Sequence, residues 1–400
     1  MAALSGGHLA VDFASGSVPA LIPFLTERFD LGYALAAMLL LASTVSSSLV
    51  QPLFGLWSDR RGALWLLPGG AVLAAVGIGG AAVSPVYPLA LLLVLVGGLG
   101  VAAFHPEGAK FAAFASGQKR ASGMSYFNIG GNAGYALGAF ATGQLIVWLG
   151  LSGGVLAMVP VLLAALGLAR VVPHLSRLES ETSMSSYHRG DDRRKAMALL
   201  GAVIALRSVA WFTLLAFVPL WIVSLGHSKA EGNRLLFMML LAGALGTLLL
   251  GPVADRVGLR RTLIATQALV PPLMLVFVFV GGVTGALALM LVGVCVVGTF
   301  GVTMVLSQLY LPRHVGMASG LSIGLAMGIG GIAAVVLGAI ADAIDLQTAL
   351  TISAAAPALG VACCLRLPAP VKRAQDLLEP AHTLVAPIAD QHDSISRPRT

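Results

Sequence analysis

The chain has 400 residues, of which 58% are hydrophobic without counting its 48 Gly, and only 10% are charged. Soluble domains contain about 45–50% apolar residues with Gly included and about 25% charged residues, so the composition excludes a water-soluble protein. The net charge of +7 does not indicate nucleic-acid binding, because the basic residues form short clusters between apolar blocks. Three cysteines, Cys295, Cys363 and Cys364, lack metal-ligand spacing, and we expect no metal site, cofactor or disulfide framework.

Twelve apolar blocks are long enough to cross a membrane as helices, since a ~30 Å hydrocarbon layer needs about 20 residues per helix. Their centres lie near Phe13, Ser46, Ala75, Gly97, Ala133, Pro160, Ala210, Gly243, Pro272, Val297, Ile329 and Ala354. We therefore expect an all-α integral membrane protein with twelve transmembrane helices, surrounded by the lipid bilayer.

The basic residues give these blocks an orientation. With a cytoplasmic N-terminus, twenty of the 24 Lys and Arg residues fall in cytoplasmic segments. Only Arg28, Lys229 and Arg234 fall outside, and Arg207 lies within an apolar block. This asymmetry predicts that both termini are cytoplasmic. The first seven residues carry no basic cluster, so we expect no cleavable signal peptide.

Block one contains an ionisable pair, His8 and Asp12, which are four residues apart and therefore share one helix face. The imidazole can hydrogen-bond the carboxylate, and the pair can take up and release a proton. A carboxylate desolvated in a closed cavity holds a proton more readily, so Asp12 is the predicted proton carrier. The alternative is a structural pair that fixes block one against block four.

Block four ends with His105-Pro106-Glu107, which adds two ionisable candidates. Pro106 is expected to break the helix locally and to free backbone groups for a cavity. Glu107 can serve in proton transfer or, with Lys110 three residues on, in a structural pair. Block five contributes polar candidates for substrate binding or helix packing, Asn128 and Asn132.

The polar stretch 173–195 is predicted to be a flexible cytoplasmic linker between two halves, 1–172 and 196–367. The polar stretch 368–400 is predicted to be a disordered cytoplasmic tail.

In block seven, Arg207 can hold an anionic substrate group or act as a counter-ion to a carboxylate of the other half. Gln308 and Tyr310 in block ten are further candidates for substrate binding.

The two halves share a loop motif. Gly55-Leu-Trp-Ser-Asp59-Arg60-Arg-Gly62 follows block two, and Gly251-Pro-Val-Ala-Asp255-Arg256-Val-Gly258 follows block eight at an offset of 196. Ala121-Ser122-Gly123 and Ala318-Ser319-Gly320 repeat at an offset of 197. These matches predict two pseudo-symmetric six-helix bundles. The Asp of each loop can accept hydrogen bonds from a neighbouring helix N-terminus and so act as a conformational latch; a plain connector is the alternative.

Both loops resemble the signature of the major facilitator superfamily. Other strings resemble the fosmidomycin-resistance family within it, namely His8-Leu-Ala-Val-Asp12, Ser48-Leu-Val-Gln51-Pro52, His105-Pro106-Glu107, Met124-Ser-Tyr-Phe-Asn128-Ile-Gly130-Gly131-Asn132, Leu206-Arg207-Ser208 and Met317-Ala-Ser-Gly-Leu-Ser. The resemblance implies the major facilitator fold, whose first, fourth, seventh and tenth helices line a central cavity. It further implies a bacterial inner-membrane protein.

The function implied by the resemblance is secondary active transport, with protons as the coupling ion and a small drug or an anionic or amphipathic metabolite as substrate. Export by antiport is the leading hypothesis, and proton-coupled uptake of a small organic acid or sugar is the alternative. A non-transporting receptor or scaffold is a third possibility, but the chain has no long soluble segment to serve it. No Walker motif is present, and we expect no enzyme activity. We also expect a monomer.

Overall fold

The computed structural model describes residues 1–51, 53–54, 57, 63–115, 120–179, 191–312 and 315–369. Within those ranges the chain is built of α-helices joined by short connections and contains no β-strand. The predicted all-α class is therefore confirmed.

In the first half the helices are α1 (Ala2–Phe29), α2 (Tyr33–Ser48), α3 (Leu66–Val83), α4 (Tyr87–Ala115), α5 (Arg120–Leu149), α6 (Ser152–Leu156) and α7 (Val159–Glu179). In the second half they are α8 (Arg194–Ser224), α9 (Lys229–Val257), α10 (Leu259–Phe279), α11 (Gly282–Gly298), α12 (Phe300–Tyr310), α13 (Val315–Ala343) and α14 (Leu346–Arg366). Helices α7 and α8 both extend into the predicted linker 173–195. Residues 180–190 of that linker and the tail beyond residue 369 lie outside the described ranges.

These helices form twelve membrane spans. Ten segments are long and apolar enough to cross a membrane, and two of them combine two helices, α6 with α7 and α11 with α12. Helix α2, with 16 residues, and helix α5, with 30 residues, complete the twelve. Each of the twelve predicted block centres falls in a different span, which confirms the predicted number of crossings.

The two halves repeat one packing arrangement. In the first half α1 packs on α5 and α3 packs on α4, and the corresponding pairs of the second half are α8 with α13 and α10 with α11. Between the halves, α2 packs on α13 and α5 packs on α9. By the repeat, α2 corresponds to α9 and α5 corresponds to α13. The contact of α2 with α13 is therefore equivalent to the contact of α9 with α5.

Glycines bring α1 and α5 into close backbone contact. A Cβ atom at Gly134 would lie 2.0 Å from the carbonyl oxygen of Leu9, and one at Gly138 would lie 2.0 Å from that of Phe13. Gly130 faces Ser5 in the same way one turn earlier. Small residues at four-residue spacing let helices approach closely where lipid provides no hydrophobic driving force. The approach places α5 directly behind the polar face of α1.

This packing generates a stability prediction. Gly134→Ala should lower the melting temperature in detergent, because overpacking a tight contact costs about 1–3 kcal/mol. Gly167→Ala in α7 is the matched control, since a Cβ there meets no atom within 4 Å and Ala favours a helix by up to about 1 kcal/mol. Equal melting temperatures for the two variants would show that the α1–α5 contact is not tight.

Candidate functional site

Three predicted proton-coupling residues meet between α1 and α4. Asp12 lies 3.2 Å from His8, measured from Oδ2 to Nε2, and 3.3 Å from His105, measured from Oδ1 to Nε2. The two imidazole Nε2 atoms are 3.2 Å apart. We call these three side chains the triad. The four-residue spacing predicted that His8 faces Asp12, and the tertiary fold adds His105 from the fourth span.

The backbone fixes the tautomer of both histidines. The Nδ1–H of His8 donates to the carbonyl oxygen of Phe127 in α5, and the Nδ1–H of His105 donates to that of Val101, each at 2.8 Å. A carbonyl oxygen can only accept, so each Nδ1 carries a proton. In a neutral imidazole the other nitrogen is then a bare acceptor. Both Nε2 lone pairs therefore point into the triad.

Without an added proton, the triad contains acceptors only. Two Nε2 lone pairs and a carboxylate lie within hydrogen-bond distance of one another, and none of them has a hydrogen to donate. One bound proton creates an imidazolium whose Nε2–H can donate to Asp12 or to the second imidazole, and it cancels the carboxylate charge. The same ligand atoms lie within 4.8 Å of one another, so a small cation is the alternative occupant.

The surroundings confine the triad on most sides. The His8 ring stacks on Phe127 with centroids 4.0 Å apart. A Cβ at Gly131 would lie 2.5 Å from His8 Nε2 and 2.6 Å from Asp12 Oδ2, so only glycine leaves room for the triad. The side chain of His8 is 8% exposed, against 18% for Asp12 and 24% for His105. Solvent therefore reaches the triad through Asp12 and His105.

Gly131 is a site residue that sequence reasoning missed. Its sequence signals were its place in the family string Gly130-Gly131-Asn132 and in a glycine-rich stretch of block five. In that stretch Gly130, Gly134 and Gly138 serve helix packing.

Glu107 is fully buried in α4. It stands two residues from His105, so the two side chains point to nearly opposite faces of the helix. The predicted break at Pro106 is absent, because α4 is helical from Tyr87 to Ala115. One proline removes a single N–H from the hydrogen-bond ladder, and a packed transmembrane helix tolerates that loss.

Arg207 forms the corresponding polar contact of the second half. Its Nη1 donates to Thr299 Oγ1 at 2.7 Å, and the Arg207 residue is only 4% exposed. Thr299 is the single residue between α11 and α12 within the tenth span. Its hydroxyl donates onward to the Cys295 carbonyl oxygen at 2.7 Å. Among the residues that the structure describes, no carboxylate forms an ion pair with Arg207. Thr299 carried no sequence signal.

The other predicted substrate residues are more dispersed. Tyr310 is fully buried, and its hydroxyl donates to the Pro368 carbonyl oxygen at 2.8 Å, which ties the end of α12 to the chain after α14. Asn128 is exposed on α5, and Asn132 and Gln308 are half-buried. Tyr310 and Arg207 both lie near Cys364 of α14.

Of the two predicted latches, only the second is described. The end of α9 contains Gly251, Asp255 and Arg256, and the side chains of Asp255 and Arg256 are exposed. Gly258 follows with φ +102°, a backbone conformation that favours glycine, and α10 begins at the next residue. Gly55, Asp59, Arg60 and Gly62 of the first latch lie outside the described residues.

Comparison with known proteins agrees with this architecture. The family model described as Major Facilitator Superfamily matches residues 4–321 and 200–394. The chain is 32% identical over 364 residues to an uncharacterized MFS-type transporter, YfnC of Bacillus subtilis (strain 168), covering 88% of this chain and 89% of the relative. It is 28% identical over 368 residues to the fosmidomycin resistance protein of Escherichia coli (strain K12), covering 90% and 91%.

Solved transporter structures share the fold at low sequence identity. A bacterial homolog to the human lysosomal transporter Spinster, in an inward-facing and occupied conformation, aligns with a TM-score of 0.74 at 13% identity, covering 93% of this chain and 97% of that one. The nucleoside transporter NupG aligns with a TM-score of 0.71 at 14% identity, covering 91% and 98%. At these identities the likeness concerns the fold alone.

The Arg207 contact generates a second stability prediction. Thr299→Val keeps the side-chain shape but removes the acceptor, and it should destabilise the protein by about 1.5–3 kcal/mol because the hydrogen bond involves a charged group. Thr303→Val is the control, since the Thr303 hydroxyl bonds only to backbone oxygens and should cost about 0.5–1.5 kcal/mol. Thermal unfolding in detergent measures both, and equal losses would contradict a special role for Thr299.

Proposed function

This chain belongs to the Major Facilitator Superfamily, and from that premise we propose that it is a proton-coupled transporter that exports small anionic or amphipathic compounds by alternating access. The observation that carries the proposal is the triad of His8, Asp12 and His105. Its two imidazoles and one carboxylate lack a donor among themselves until one proton binds.

Proton binding at the triad gives a physical basis for coupling. Without the proton the triad carries the charge of Asp12, and with one proton it is neutral. Charge inside a membrane-spanning bundle is costly. The charged, unprotonated triad therefore favours a conformation in which water reaches it, whereas the neutral, protonated triad tolerates one in which water is excluded. The partial exposure of Asp12 and His105 gives the proton a route to solvent. The triad also joins the first and fourth spans of one half.

Arg207 is the proposed site for an anionic group of the substrate. Its contact with Thr299 uses one of the five N–H groups of the guanidinium. The remaining N–H groups can donate to a carboxylate, phosphate or phosphonate of the substrate. Arg207 lies beside the one-residue break between α11 and α12. Export is the leading direction because one relative is named for resistance to fosmidomycin.

A second candidate function follows from the charges. The unprotonated triad and Arg207 together are neutral, and binding one proton with one monovalent anion keeps them neutral. Binding either one alone leaves a net charge, which is costly inside the membrane. This balance favours proton-coupled uptake of a small organic acid. Transport of fosmidomycin into vesicles of known orientation under an imposed pH gradient separates export from uptake.

Removal of the carboxylate tests the proposal. In susceptible bacteria that lack their own exporter, the protein should lower fosmidomycin accumulation, and a protonophore should abolish that effect. Asp12→Asn should raise accumulation to the level of the empty vector, because no charge remains for the shared proton to neutralise.

The control for this substitution is Asp30→Asn, which makes the same chemical change at an exposed connection and should transport normally. Immunoblotting of membranes confirms that both variants insert. Normal gradient-driven transport by the Asp12→Asn protein would refute the triad as the coupling site.

A substitution at Arg207 tests the anion site. Arg207→Gln retains a hydrogen-bond donor for Thr299 but has no charge, and it should raise the KM for fosmidomycin roughly 10- to 100-fold, since a hydrogen bond to a charged group contributes about 1.5–3 kcal/mol. Arg234→Gln on the exposed face of α9 is the control. An unchanged KM in proteoliposomes containing the Arg207→Gln protein would exclude Arg207 from substrate binding.

A further inference from the structure

Polar contacts between the two halves gather at one end of the bundle, where α1 ends and α2 begins; the predicted orientation makes this the outer end. Asp342 in the last turn of α13 accepts two backbone hydrogen bonds from α2, from Tyr33 N to Oδ1 at 2.6 Å and from Ala34 N to Oδ2 at 3.0 Å. The carboxylate of one half therefore caps a helix of the other half.

Helix α2 has no cap of its own. Its N-cap residue is Gly32, with φ −68° and ψ 164° and no side-chain hydrogen bond. Ser228, at the repeat offset of 196, is the N-cap of the equivalent helix α9 and forms a complete capping box with Glu231. The first N–H groups of a helix lack partners within the helix. Those of α2 are satisfied by the opposite half, whereas those of α9 are satisfied locally.

The position of Asp342 is unfavourable without α2. A negative side chain at a helix C-terminus is repelled by the partial negative charge of the helix dipole, whereas one at an N-terminus is attracted. Asp342 stands at the C-terminal end of α13 and faces the N-terminal end of α2. Separation of the two helices would expose the N–H groups of α2 and leave the carboxylate at the wrong end of its own helix.

Two further contacts join the halves at this end. Asn233 in α9 is 1% exposed, and its Nδ2 donates to the Ala20 carbonyl oxygen of α1 at 3.1 Å. Lys229, at the start of α9, pairs with Glu27 of α1. The outer end is thus closed on both sides of the interface, by α2 with α13 and by α1 with α9.

We propose that Asp342 is a conformational lock, an N-cap supplied across the two halves that stabilises the state closed at the outer end. The lock rests on the alternating-access cycle proposed above, since only relative motion of the halves can break it. Each opening of the outer end exchanges the cap for water, and each closure restores it.

Distances across the outer end test the lock. Spin labels at Val86 and Val283, both exposed at this end, report the separation of the halves by double electron–electron resonance, in a background with Cys295, Cys363 and Cys364 replaced by Ala. Asp342→Ala should raise the ratio of open to closed molecules about 2- to 30-fold, the range that corresponds to loss of one N-cap.

Asp345→Ala is the matched control. Asp345 also caps a helix, accepting from Thr348 N at 2.6 Å, but donor and acceptor lie in the same half. This variant should lower the melting temperature without changing the ratio of open to closed molecules. An equal shift of that ratio in both variants would overturn the lock, because the effect would then reflect general destabilisation.

A second variant separates helix capping from locking. A Cβ at Gly32 would lie 2.9 Å from both carboxylate oxygens of Asp342, so Gly32→Ser fits once Asp342 is truncated. In the Asp342→Ala background, Gly32→Ser caps α2 in both conformations; it should restore the melting temperature while the ratio stays shifted toward open.

The outcomes distinguish the lock from the transport cycle. If the parent protein shows both distances and Asp342→Ala leaves their ratio unchanged, the lock is wrong and alternating access stands. If the parent protein shows a single distance at every pH, with and without fosmidomycin, alternating access and the lock both fail.

Discussion

The carboxylate of Asp12 lies inside a helix bundle where neighbouring side chains must compensate its charge. His8 and His105 do so only when a proton is present, since the backbone carbonyls of Phe127 and Val101 hold both Nδ1 protons. This one requirement explains two features together: the glycine at position 131 and the proximity of the first and fourth spans.

The two halves repeat one fold but differ in chemistry. In the first half, the contact between the first and fourth spans places the carboxylate of Asp12 between two histidines. In the second half, the contact between the seventh and tenth spans is the cation Arg207 with Thr299. In our proposal, coupling belongs to the first half and anion binding to the second. Opposite charges in the two halves then allow the occupancy of one site to change the electrostatic energy of the other.

The contacts between the halves show a similar division. Equivalent helices α2 and α9 begin at the same end, yet α9 caps itself through Ser228 and Glu231 while α2 depends on Asp342. The repeated loops led us to expect that an Asp would accept hydrogen bonds from a neighbouring helix N-terminus. The structure shows that chemistry at the opposite end of the bundle, from a residue outside the repeated motif, so motif symmetry alone did not locate it.

The sequence by itself determined the number of spans, the duplicated half and the pairing of His8 with Asp12, because hydrophobic block length and four-residue spacing are local properties of a helix. Tertiary structure alone decided that His105 completes the triad, that Thr299 meets Arg207 and that Asp342 caps α2. Those partners are separated by 97, 92 and 309 residues in the chain. Such contacts depend on how whole helices pack, and no spacing rule along one helix encodes them.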